Sequence, residues 1–421
     1  MVDYLVPIHR HITDNLLAAL ADTPVVLLSG ARQTGKSTLV QSEDLKDRQY
    51  LTFDDAGVLA AARNDPNGFI AGLAGKTTLD EIQHVPELFQ SIKLAVDRRR
   101  EPGRFLLTGS ANVMALPKLS ESLAGRMEVL TLWPFSQGEI RGARETFIDN
   151  CFSNKFVFPG AKAQIQHKRS EIIELMLAGG YPPALARKSR ARRGAWFASY
   201  ATTILQRDVR DLSNIEDLSA VPRLLAVVAS RAGGLLNYAD LSRALGLPQT
   251  TLKRYFALLE MTFLVQLLRP WSARLGQRSI LTPKVYLNDT GMLAHFLGLT
   301  TARLEADQSL TGALAENFVM MELLKQSTWS ETKPLLFFWR TAAGREVDFV
   351  LEDSAGRIVG IEVKAGATLH RSDLAGLQAM AEQTEKKWVR GIVLYTGTDV
   401  IPFAGNLHGV PLETLWSLAE F

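Results

Sequence analysis

The chain has 421 residues, of which 47% are hydrophobic and 22% are charged, and its formal net charge is +3. This composition excludes a largely disordered chain and allows roughly two to four domains with their own cores. A single cysteine, Cys151, excludes a disulfide framework and predicts a cytoplasmic location. No apolar run approaches the roughly 18 residues that span a bilayer. Residues 1–10 lack the apolar segment of a secretory signal, so we expect no membrane partner.

A complete Gly-x4-Gly-Lys-Ser loop lies near the N-terminus, after the apolar run 25–28 and before a helix predicted to begin near Thr38. The loop reads Gly30-Ala31-Arg32-Gln33-Thr34-Gly35-Lys36-Ser37. Its glycines let several backbone N–H groups converge on a phosphate. Lys36 would contact the β- and γ-phosphates, and Ser37 would contact Mg²⁺. We therefore predict that residues 30–38 bind ATP together with Mg²⁺.

Four further segments have the pattern of strands in a nucleotide-binding sheet, and helical stretches separate most of them. They are residues 49–53, 77–82, 104–108 and 127–132. Alternating strands and helices predict a parallel α/β sheet with both faces covered and with its ligand beyond the carboxyl ends of the strands. Polar residues at 76–78 make the second segment less apolar than a central parallel strand usually is.

Five polar residues near the ends of these strands are candidates for catalysis. Asp80 is placed to hold the Mg²⁺ shell and Glu81 to orient or deprotonate the attacking water, with a solvated turn as the alternative. Thr108 and Ser110 follow another strand and could sense the γ-phosphate or the water. Arg126 precedes the last strand. It is either a surface arginine or a finger that reaches the γ-phosphate of a neighbouring subunit, which would make the protein an oligomer.

The pattern is helical from about residue 169 to residue 217, with a break at the glycines and prolines of 179–183. This region contains a basic segment with five positive charges in seven residues and no acidic residue between them: Arg187, Lys188, Arg190, Arg192 and Arg193. The segment predicts contact with phosphate groups, and a solvated helix face is the alternative.

Residues 238–259 have the spacing of a helix-turn-helix, and residues 263–268 are predicted to form a wing. Three residues of the second helix share an apolar face: Leu252, Phe256 and Leu259. Four others are predicted to point outward: Gln249, Thr250, Lys253 and Arg254. These outward side chains suit a DNA groove or its phosphates, although winged helices also bind proteins.

Two strands joined by turn residues are predicted near the C-terminus, over residues 345–352 and 358–364. Glu362 and Lys364 share one face because the side-chain period of a strand is two, and Asp348 lies on the neighbouring strand. Two carboxylates can bind a metal that activates water against a phosphodiester, with the lysine stabilising charge. Glu316, on a predicted helix, would complete the metal shell. The pattern predicts a nuclease-type α/β fold, and an exposed salt-bridged hairpin is the alternative.

Taken together, these motifs resemble a family of bacterial and archaeal ATPases with an AAA-type N-terminal domain. The family's C-terminal domain of unknown function is similar to PD-(D/E)XK nucleases, which have a restriction-endonuclease-like fold. The matching stretches are residues 28–37, 79–83, 107–110, 123–126, 179–182, 205–208, 288–293, 345–348 and 362–364. Ala31 stands where such loops often carry proline, a difference that should not disturb phosphate contacts.

We therefore expect four domains. They are an AAA-type ATPase domain (residues 1–150), a helical region (151–218), a winged-helix domain (219–275) and a nuclease-like domain (276–421). The predicted function is that of an ATPase directed at DNA ends or branches, with metal-dependent deoxyribonuclease activity as an open question. A homo-oligomer, with a hexameric ring as one form, is the expected assembly. The alternative is an ATP-gated regulator that binds DNA or protein and whose nuclease fold is inactive.

Overall fold

The computed structural model describes residues 8–110, 123–154, 156, 168–205, 220–279 and 281–417. These residues form two compact units. The N-terminal unit consists of His9–Phe135 with Leu258–Leu264, and the C-terminal unit consists mainly of Ser136–Ala257 with Val265–Phe421. The segment 136–150, which the sequence interpretation included in the ATPase domain, belongs to the C-terminal unit.

The N-terminal unit is built on a five-stranded parallel sheet with the strand order β2-β3-β4-β1-β5. Its strands are β1 (Val25–Ser29), β2 (Gln49–Thr52), β3 (Thr77–Asp80), β4 (Phe105–Gly109) and β5 (Met127–Thr131). Because β4 lies between β1 and β3, the residues that follow these three strands meet at one edge of the sheet. The predicted parallel P-loop sheet is confirmed, and each strand lies close to its expected bounds.

Helices cover both faces of this sheet. They are α1 (Thr13–Asp22), α2 (Lys36–Val40), α3 (Ala56–Asn64), α4 (Pro66–Gly72) and α5 (Leu88–Arg98). Side chains of β1 alternate between the two faces. Val25 and Leu27 pack with residues of α3, α4 and α5, whereas Val26 and Leu28 pack with residues of α1 and α2. Strand β1 is therefore buried on both sides, as expected for a central parallel strand.

The polar start of β3 is explained by Arg48, which lies just before β2. Its guanidinium donates to Thr78 Oγ1 at 3.1 Å, to Thr77 O at 2.8 Å and to Gly103 O at 2.8 Å. Thr77 and Thr78 are fully buried, so these hydrogen bonds satisfy groups that water does not reach. Burial lowers the pKa of Arg48 to about 10. Arg48 thus joins β2, β3 and the start of β4 at the edge of the sheet opposite the phosphate-binding loop.

The C-terminal unit contains the predicted helical region. The remaining described α-helices are α6 (Gln137–Arg141), α7 (Phe147–Phe152), α8 (Arg169–Ala178), α9 (Pro182–Leu185), α10 (Arg190–Thr203), α11 (Val221–Ala229), α12 (Tyr238–Leu245), α13 (Gln249–Met261), α14 (Thr290–Leu297), α15 (Thr301–Ala306), α16 (Gln308–Gln326), α17 (Ala375–Thr384) and α18 (Thr414–Ser417). All belong to the C-terminal unit except the last turn of α13, from Leu258 onward. The predicted break at 179–183 lies between α8 and α9, where Pro182 begins the new helix. The part of the region at 206–217 lies outside the described residues.

Asp289 joins two segments that are 109 residues apart in the chain. Its carboxylate caps α14 by accepting the N–H of Met292 at 3.0 Å, and it also accepts the N–H of Gly180 at 2.6 Å. Gly179 has φ +72°, and a Cβ there would overlap the carboxylate of Asp289. A glycine is therefore required at position 179 by both the backbone conformation and the space.

The predicted helix-turn-helix spacing corresponds to α12 and α13. Gly246, with φ 70°, ends α12 in the left-handed conformation. The expected apolar face of α13 is buried, since Leu252, Phe256 and Leu259 are at most 1% exposed. The strand β6 (Val265–Leu268) follows and pairs antiparallel with β7 (Lys284–Leu287). The predicted domain boundary at residue 275 lies between these two paired strands.

A mixed six-stranded sheet forms the last part of the C-terminal unit, with the order β12-β13-β11-β10-β9-β8. Its strands are β8 (Leu335–Arg340), β9 (Glu346–Glu352), β10 (Ile358–Lys364), β11 (Trp388–Tyr395), β12 (Ile401–Phe403) and β13 (Leu407–Pro411). The predicted hairpin is confirmed as the antiparallel β9–β10 pair, and β11 runs parallel to β10. Leu377 and Met380 of α17 pack on this sheet with Val347, Val350 and Val393. No helix in the described part of the chain is long and apolar enough to span a membrane.

Candidate functional site

The phosphate-binding loop turns tightly between β1 and α2. Gly30 has φ +154°, and a Cβ there would overlap the carbonyl oxygen of Leu132. Gly35 has φ +97° and is the N-cap of α2. Both glycines therefore occupy positions where a side chain would be strained, as the sequence motif predicts.

Lys36 folds back over its own loop. Its Nζ donates to the carbonyl oxygens of Gly30 and Ala31, at 3.0 Å each, and the residue is 4% exposed. The loop thus holds a desolvated ammonium group at its centre. An anion that enters the loop gains a strong charge interaction because little water surrounds this ammonium.

Arg10 supports the loop from outside the motif and was not anticipated from the sequence. Its guanidinium donates to Thr34 O at 2.7 Å and to Trp133 O at 2.6 Å, and it lies 4.6 Å from the ring centre of Phe135. Arg10 therefore fixes the backbone of the loop to the segment after β5. No local pattern around residue 10 indicates this role.

Asp80, at the end of β3, accepts three hydroxyl hydrogen bonds. Ser37 Oγ lies 3.0 Å from Oδ2, Tyr50 OH lies 2.7 Å from Oδ2, and Thr108 Oγ1 lies 2.5 Å from Oδ1. The structure thus brings together the two residues expected to hold Mg²⁺, Ser37 and Asp80. Tyr50, on β2, is an additional partner that the sequence analysis missed. Burial, followed by the hydrogen bond and the charge of Asp80, raises the pKa of Tyr50 well above its ordinary value.

Glu81 has a left-handed backbone, with φ 59° and ψ 48°, which is uncommon for a residue other than glycine. Its N–H donates to Thr108 Oγ1 at 3.0 Å. Its carboxylate accepts from Gln83 Nε2, which also lies 2.9 Å from Ser110 Oγ. Such strained backbone positions are concentrated at functional sites. The four predicted residues Asp80, Glu81, Thr108 and Ser110 therefore form one connected hydrogen-bond network, in which Gln83 was not anticipated.

The charge on Glu81 is stabilised by its surroundings. Burial alone would raise its pKa, but Lys36 and the hydrogen bonds from Gln83 and Ser110 outweigh burial, with a further contribution from Arg32. The pKa of Glu81 is therefore lowered. An ionised carboxylate next to the phosphate-binding loop has the charge state that a general base needs.

Arg126 lies at the opposite edge of the sheet. Its carbonyl oxygen accepts the N–H of Val25 at the start of β1, whereas the phosphate-binding loop follows the end of β1. Five residues of strand separate the two edges by about 16 Å. The Arg126 guanidinium pairs with Asp97 at 2.5 Å. Arg126 is thus not brought to the loop of its own subunit.

The five residues of the basic segment differ in their contacts and in their exposure to solvent. Arg187 donates to the carbonyl of Pro183, and Arg190 donates to Leu299 O at 2.8 Å. Each of these two guanidinium groups therefore has one backbone acceptor, and the contact of the basic segment with phosphate stays a prediction. Lys188 and Arg192 are exposed and Arg193 is half-buried. On α13, the four side chains expected to point outward are exposed: Gln249, Thr250, Lys253 and Arg254.

Two residues of the predicted nuclease site, Glu316 and Asp348, lie beside a lysine that the sequence analysis did not consider, and the other two, Glu362 and Lys364, pair with each other. Lys284 Nζ, on β7, lies 2.9 Å from Glu316 Oε1 and 3.7 Å from Asp348 Oδ1, and it also pairs with Glu346. Lys364 Nζ lies 2.8 Å from Glu362 Oε1. We call Lys284, Glu316, Glu346 and Asp348 the lysine-centred cluster. It lies in the C-terminal unit, and its central cation is an ammonium group.

Most oxygens of the expected metal ligands already have partners. Asp348 Oδ2 accepts the N–H of Val363 at 2.9 Å, and Glu316 Oε1 accepts Tyr286 OH at 2.7 Å. Glu362 Oε2 is buried and makes no hydrogen bond among the described residues. Those residues contain no group of three or more His, Cys, Asp or Glu side chains arranged to hold a metal ion. As arranged, the cluster does not fit a divalent cation.

Burial governs the protonation of these carboxyl groups. Burial, and then the charge of Asp348, raises the pKa of Glu316 to about 7 and that of Glu362 to about 8. Burial also raises the pKa of Asp348. For Lys284, burial alone would lower the pKa, but the three carboxylates outweigh it and hold the pKa above its ordinary value. Lys284 is therefore positively charged at neutral pH.

Comparisons with known proteins agree with the geometry of the N-terminal unit. Three family models match separate parts of the chain: an AAA domain over residues 22–141, a domain of unknown function (DUF8612) over 169–303, and another domain of unknown function (DUF4143) over 311–415. A solved structure, the Walker-type ATPase paby2304 of Pyrococcus abyssi, matches 70% of this chain and 99% of its own, with 15% identity and a TM-score of 0.40.

Two curated relatives match nearly the whole chain. They are the uncharacterized protein Rv2008c of Mycobacterium tuberculosis and the uncharacterized protein Mb2031c of Mycobacterium bovis. Each is 33% identical over 410 residues, which cover 96% of this chain and 84% of the relative. The protein therefore belongs to the same family as these mycobacterial proteins, and its N-terminal unit is an ATP-binding P-loop domain of the AAA type.

Proposed function

We propose that the protein is an ATPase whose turnover is coupled to DNA. The observation that carries the ATPase part is the single network that joins Ser37, Asp80, Glu81 and Thr108 beside the phosphate-binding loop. Phosphoryl transfer requires a cation at the β- and γ-phosphates, ligands for Mg²⁺ and a carboxylate near the attacking water. Lys36 of the adjoining loop is the cation, and the network contains the other groups at the same edge of the sheet.

Each residue has a distinct part in hydrolysis. When ATP binds, the Lys36 ammonium group leaves the loop carbonyls and contacts the β- and γ-phosphates, because a phosphate oxygen is the stronger acceptor for an ammonium group. Ser37 and Asp80 provide oxygens for Mg²⁺, which would neutralise charge on the phosphates when bound. Glu81 orients or deprotonates the water. Thr108 donates a hydrogen bond to the Asp80 carboxylate and accepts one from the backbone N–H of Glu81, so it fixes the position of one residue relative to the other.

The assembly that we propose is a homo-oligomer in which Arg126 acts on a neighbouring subunit. Its position at the edge opposite the loop makes action within one subunit incompatible with the strand length. An arginine supplied in trans stabilises charge in the transition state. The Arg126 side chain pairs with Asp97 at 2.5 Å and is 30% exposed, and in the proposed assembly a phosphate replaces the Asp97 carboxylate as its partner.

Two surfaces of the C-terminal unit support DNA as the coupled ligand. The first is the exposed polar face of α13, which includes Lys253 and Arg254. The second is the start of α10, which has arginines at positions 190, 192 and 193 and no acidic residue in its first turn. Positive charge at a helix N-terminus opposes the helix dipole, and a nucleic-acid phosphate bound there would relieve this repulsion.

An ATPase assay with single-stranded, duplex and branched DNA tests the proposal, with cleavage scored in the same tubes. We expect DNA to raise the turnover of the wild type and to leave Lys253→Ala/Arg254→Ala with its basal rate but a weaker DNA response. Basal ATP hydrolysis that no DNA stimulates would refute the coupling to DNA, and no hydrolysis at all would refute the ATPase itself. Lys386→Ala/Lys387→Ala, with two exposed lysines elsewhere in the C-terminal unit, is the matched control.

A second candidate is an ATP-gated regulator that binds DNA or protein without cutting it. The observation that favours it is the ammonium group of Lys284 among the three carboxylates of the lysine-centred cluster. In this case ATP binding alone, with the Glu81→Gln protein, would change partner binding. Cleavage of any DNA substrate by the wild type would exclude this candidate.

A further inference from the structure

The lysine-centred cluster contains two of the three carboxylates that the sequence analysis assigned to a divalent ion, Glu316 and Asp348. Glu316 lies on α16, Glu346 and Asp348 lie on β9, and all three face Lys284 Nζ. Divalent ions bind carboxylate oxygens at about 2.0–2.6 Å. Because the ammonium group of Lys284 lies 2.9 Å from Glu316 Oε1 and 3.7 Å from Asp348 Oδ1, an ion bound by these two oxygens would meet a second positive charge at close range. The ion and the ammonium group therefore exclude each other.

Lys284 is fixed in this position. Its strand β7 pairs with β6, and the backbone of Leu287 exchanges two hydrogen bonds with the Asn317 side chain, at 2.8 and 2.9 Å. The Lys284 side chain is 4% exposed, and its Nζ lies 5.6 Å from the ring centre of Phe338. A surface lysine would exchange between many rotamers, whereas this one is enclosed by packing and by three acidic partners.

The strand β7 provides a second group for the same carboxylate. Tyr286 lies two residues after Lys284, so both side chains are on one face of β7. Tyr286 OH donates to Glu316 Oε1 at 2.7 Å, beside the ammonium group. Oε1 of Glu316 therefore accepts hydrogen bonds from two side chains of β7, the Lys284 ammonium group and the Tyr286 hydroxyl.

We propose that Lys284 permanently replaces the metal ion of the C-terminal unit, so that the carboxylate cluster binds no metal. Removal of the positive charge of Lys284 would turn the same carboxylates into a cation site. The cluster joins β7, α16 and β9 by charge rather than hydrolysing phosphodiesters. The proposal rests on the nuclease-like fold suggested for this unit but not on ATP hydrolysis or on DNA stimulation, so it can fail while those proposals stand.

Mn²⁺ titration of the full chain, followed by electron paramagnetic resonance, tests the proposal. We expect the wild type and Asp348→Asn to bind equal amounts of Mn²⁺, because Lys284 keeps the ion away from Asp348. Any ion held near Asp80 is present in both proteins and cancels in the comparison. We expect Lys284→Met, which keeps the length of the side chain and removes its charge, to bind one Mn²⁺ more than Lys284→Met/Asp348→Asn. The melting temperature of Lys284→Met should rise by roughly 5 °C at one hundred times the dissociation constant.

Two outcomes would overturn the proposal. One is a wild-type Mn²⁺ site that disappears in Asp348→Asn, and the other is a folded Lys284→Met protein that gains no Mn²⁺ site. A Lys284→Met protein that folds only with Mn²⁺ present would support it. Lys284→Arg retains a cation, so we expect it to bind no additional Mn²⁺. If Lys284→Met does not fold under any condition, the comparison of the wild type with Asp348→Asn decides alone.

Discussion

Thr108 Oγ1 lies 2.5 Å from Oδ1 of Asp80. Thr108 Oγ1 also accepts the N–H of Glu81 at 3.0 Å, so one hydroxyl on β4 contacts both the carboxylate at the end of β3 and the backbone of the residue that follows it. A hydroxyl can donate one hydrogen bond and accept others through the same oxygen atom. In the proposed mechanism, Thr108 thus joins the metal ligand, Asp80, to the general base, Glu81.

Replacement of Lys36 by alanine should weaken ATP binding by about 100-fold, because hydrogen bonds to a charged group contribute ~1.5–3 kcal/mol. Calorimetric titration with ATP measures this loss. Lys46→Ala removes an exposed lysine that pairs with Glu43 and is the matched control. If Lys36→Ala binds ATP as tightly as Lys46→Ala, the loop does not hold the phosphates in the way that we describe.

Glu81→Gln should bind ATP normally and lose hydrolysis by about 10²–10⁴-fold, because an amide cannot accept the proton of the attacking water. The lowered pKa of Glu81 adds a pH test. The base is the ionised form, so a lowered pKa moves the acid limb of turnover below the usual glutamate value of about 4.3, and the rate should be flat between pH 8 and pH 6. Glu87→Gln, at an exposed position, is the control. Hydrolysis by Glu81→Gln at the rate of this control would assign the base to another residue.

Gln83→Ala should lower the turnover number about tenfold and leave ATP affinity unchanged, because one hydrogen bond to a charged group contributes ~1.5 kcal/mol. The acid limb of the pH profile should also move to higher pH, since the hydrogen bond from Gln83 lowers the pKa of Glu81. The control is Gln90→Ala, at an exposed position of α5. A lower rate without a shifted acid limb would mean that Gln83 acts on the fold rather than on Glu81.

Arg126→Ala should retain ATP binding and lose hydrolysis by about 10³-fold or more, and mixing it with Lys36→Ala should restore part of the activity. Asp97→Ala is the informative control, because it breaks the same ion pair and keeps the arginine. A purely structural pair predicts equal effects of the two substitutions. Co-assembled mixtures without recovered turnover would count against action in trans.

The C-terminal unit should be less stable at high pH. The pKa values of Glu316 and Glu362 are raised to about 7 and about 8. Between the ordinary glutamate value and these values the folded state binds more protons than the unfolded state, so stability falls as the pH rises. Lys284 has a raised pKa and keeps its contribution throughout this range.

Thermal unfolding of the full chain at pH 5.5 and pH 8.5 measures this dependence. We expect the melting temperature to be several degrees lower at pH 8.5. Glu362→Gln should reduce the difference, and Glu382→Gln, at an exposed position of α17, should not. A melting temperature that is equal at both pH values would show that the two glutamates are ionised in the folded protein.

The two candidate sites differ in how far the sequence predicts them. Gly30, Lys36 and Ser37 are close in the chain, and their geometry follows from local backbone preferences, so the motif alone places them. The lysine-centred cluster has no such local origin. Lys284 precedes an ordinary buried run, and its partner Glu316 is 32 residues away. Long-range pairing of strands and helices determines such a cluster, and one sequence does not display it.

The same distinction explains the smaller omissions at the ATP site. Tyr50 and Arg10 act through contacts 30 and 24 residues away along the chain. Gln83 is only two residues from Glu81, and its presence in the matching stretch 79–83 was the available signal. The hydrogen bond from Gln83 to the Glu81 carboxylate depends on the left-handed backbone conformation at Glu81. A sequence pattern does not indicate this conformation for a glutamate.

The contact of Asp289 with Gly180 determines where the chain can be cut. A fragment that ends at residue 275 loses Asp289, so the N–H of Gly180 loses its acceptor and the close fit at Gly179 becomes a void. The same cut removes β7 and leaves β6 as an unpaired edge, which promotes aggregation. The helix-turn-helix segment is therefore not an excisable module, and its isolation requires the chain to extend through α14.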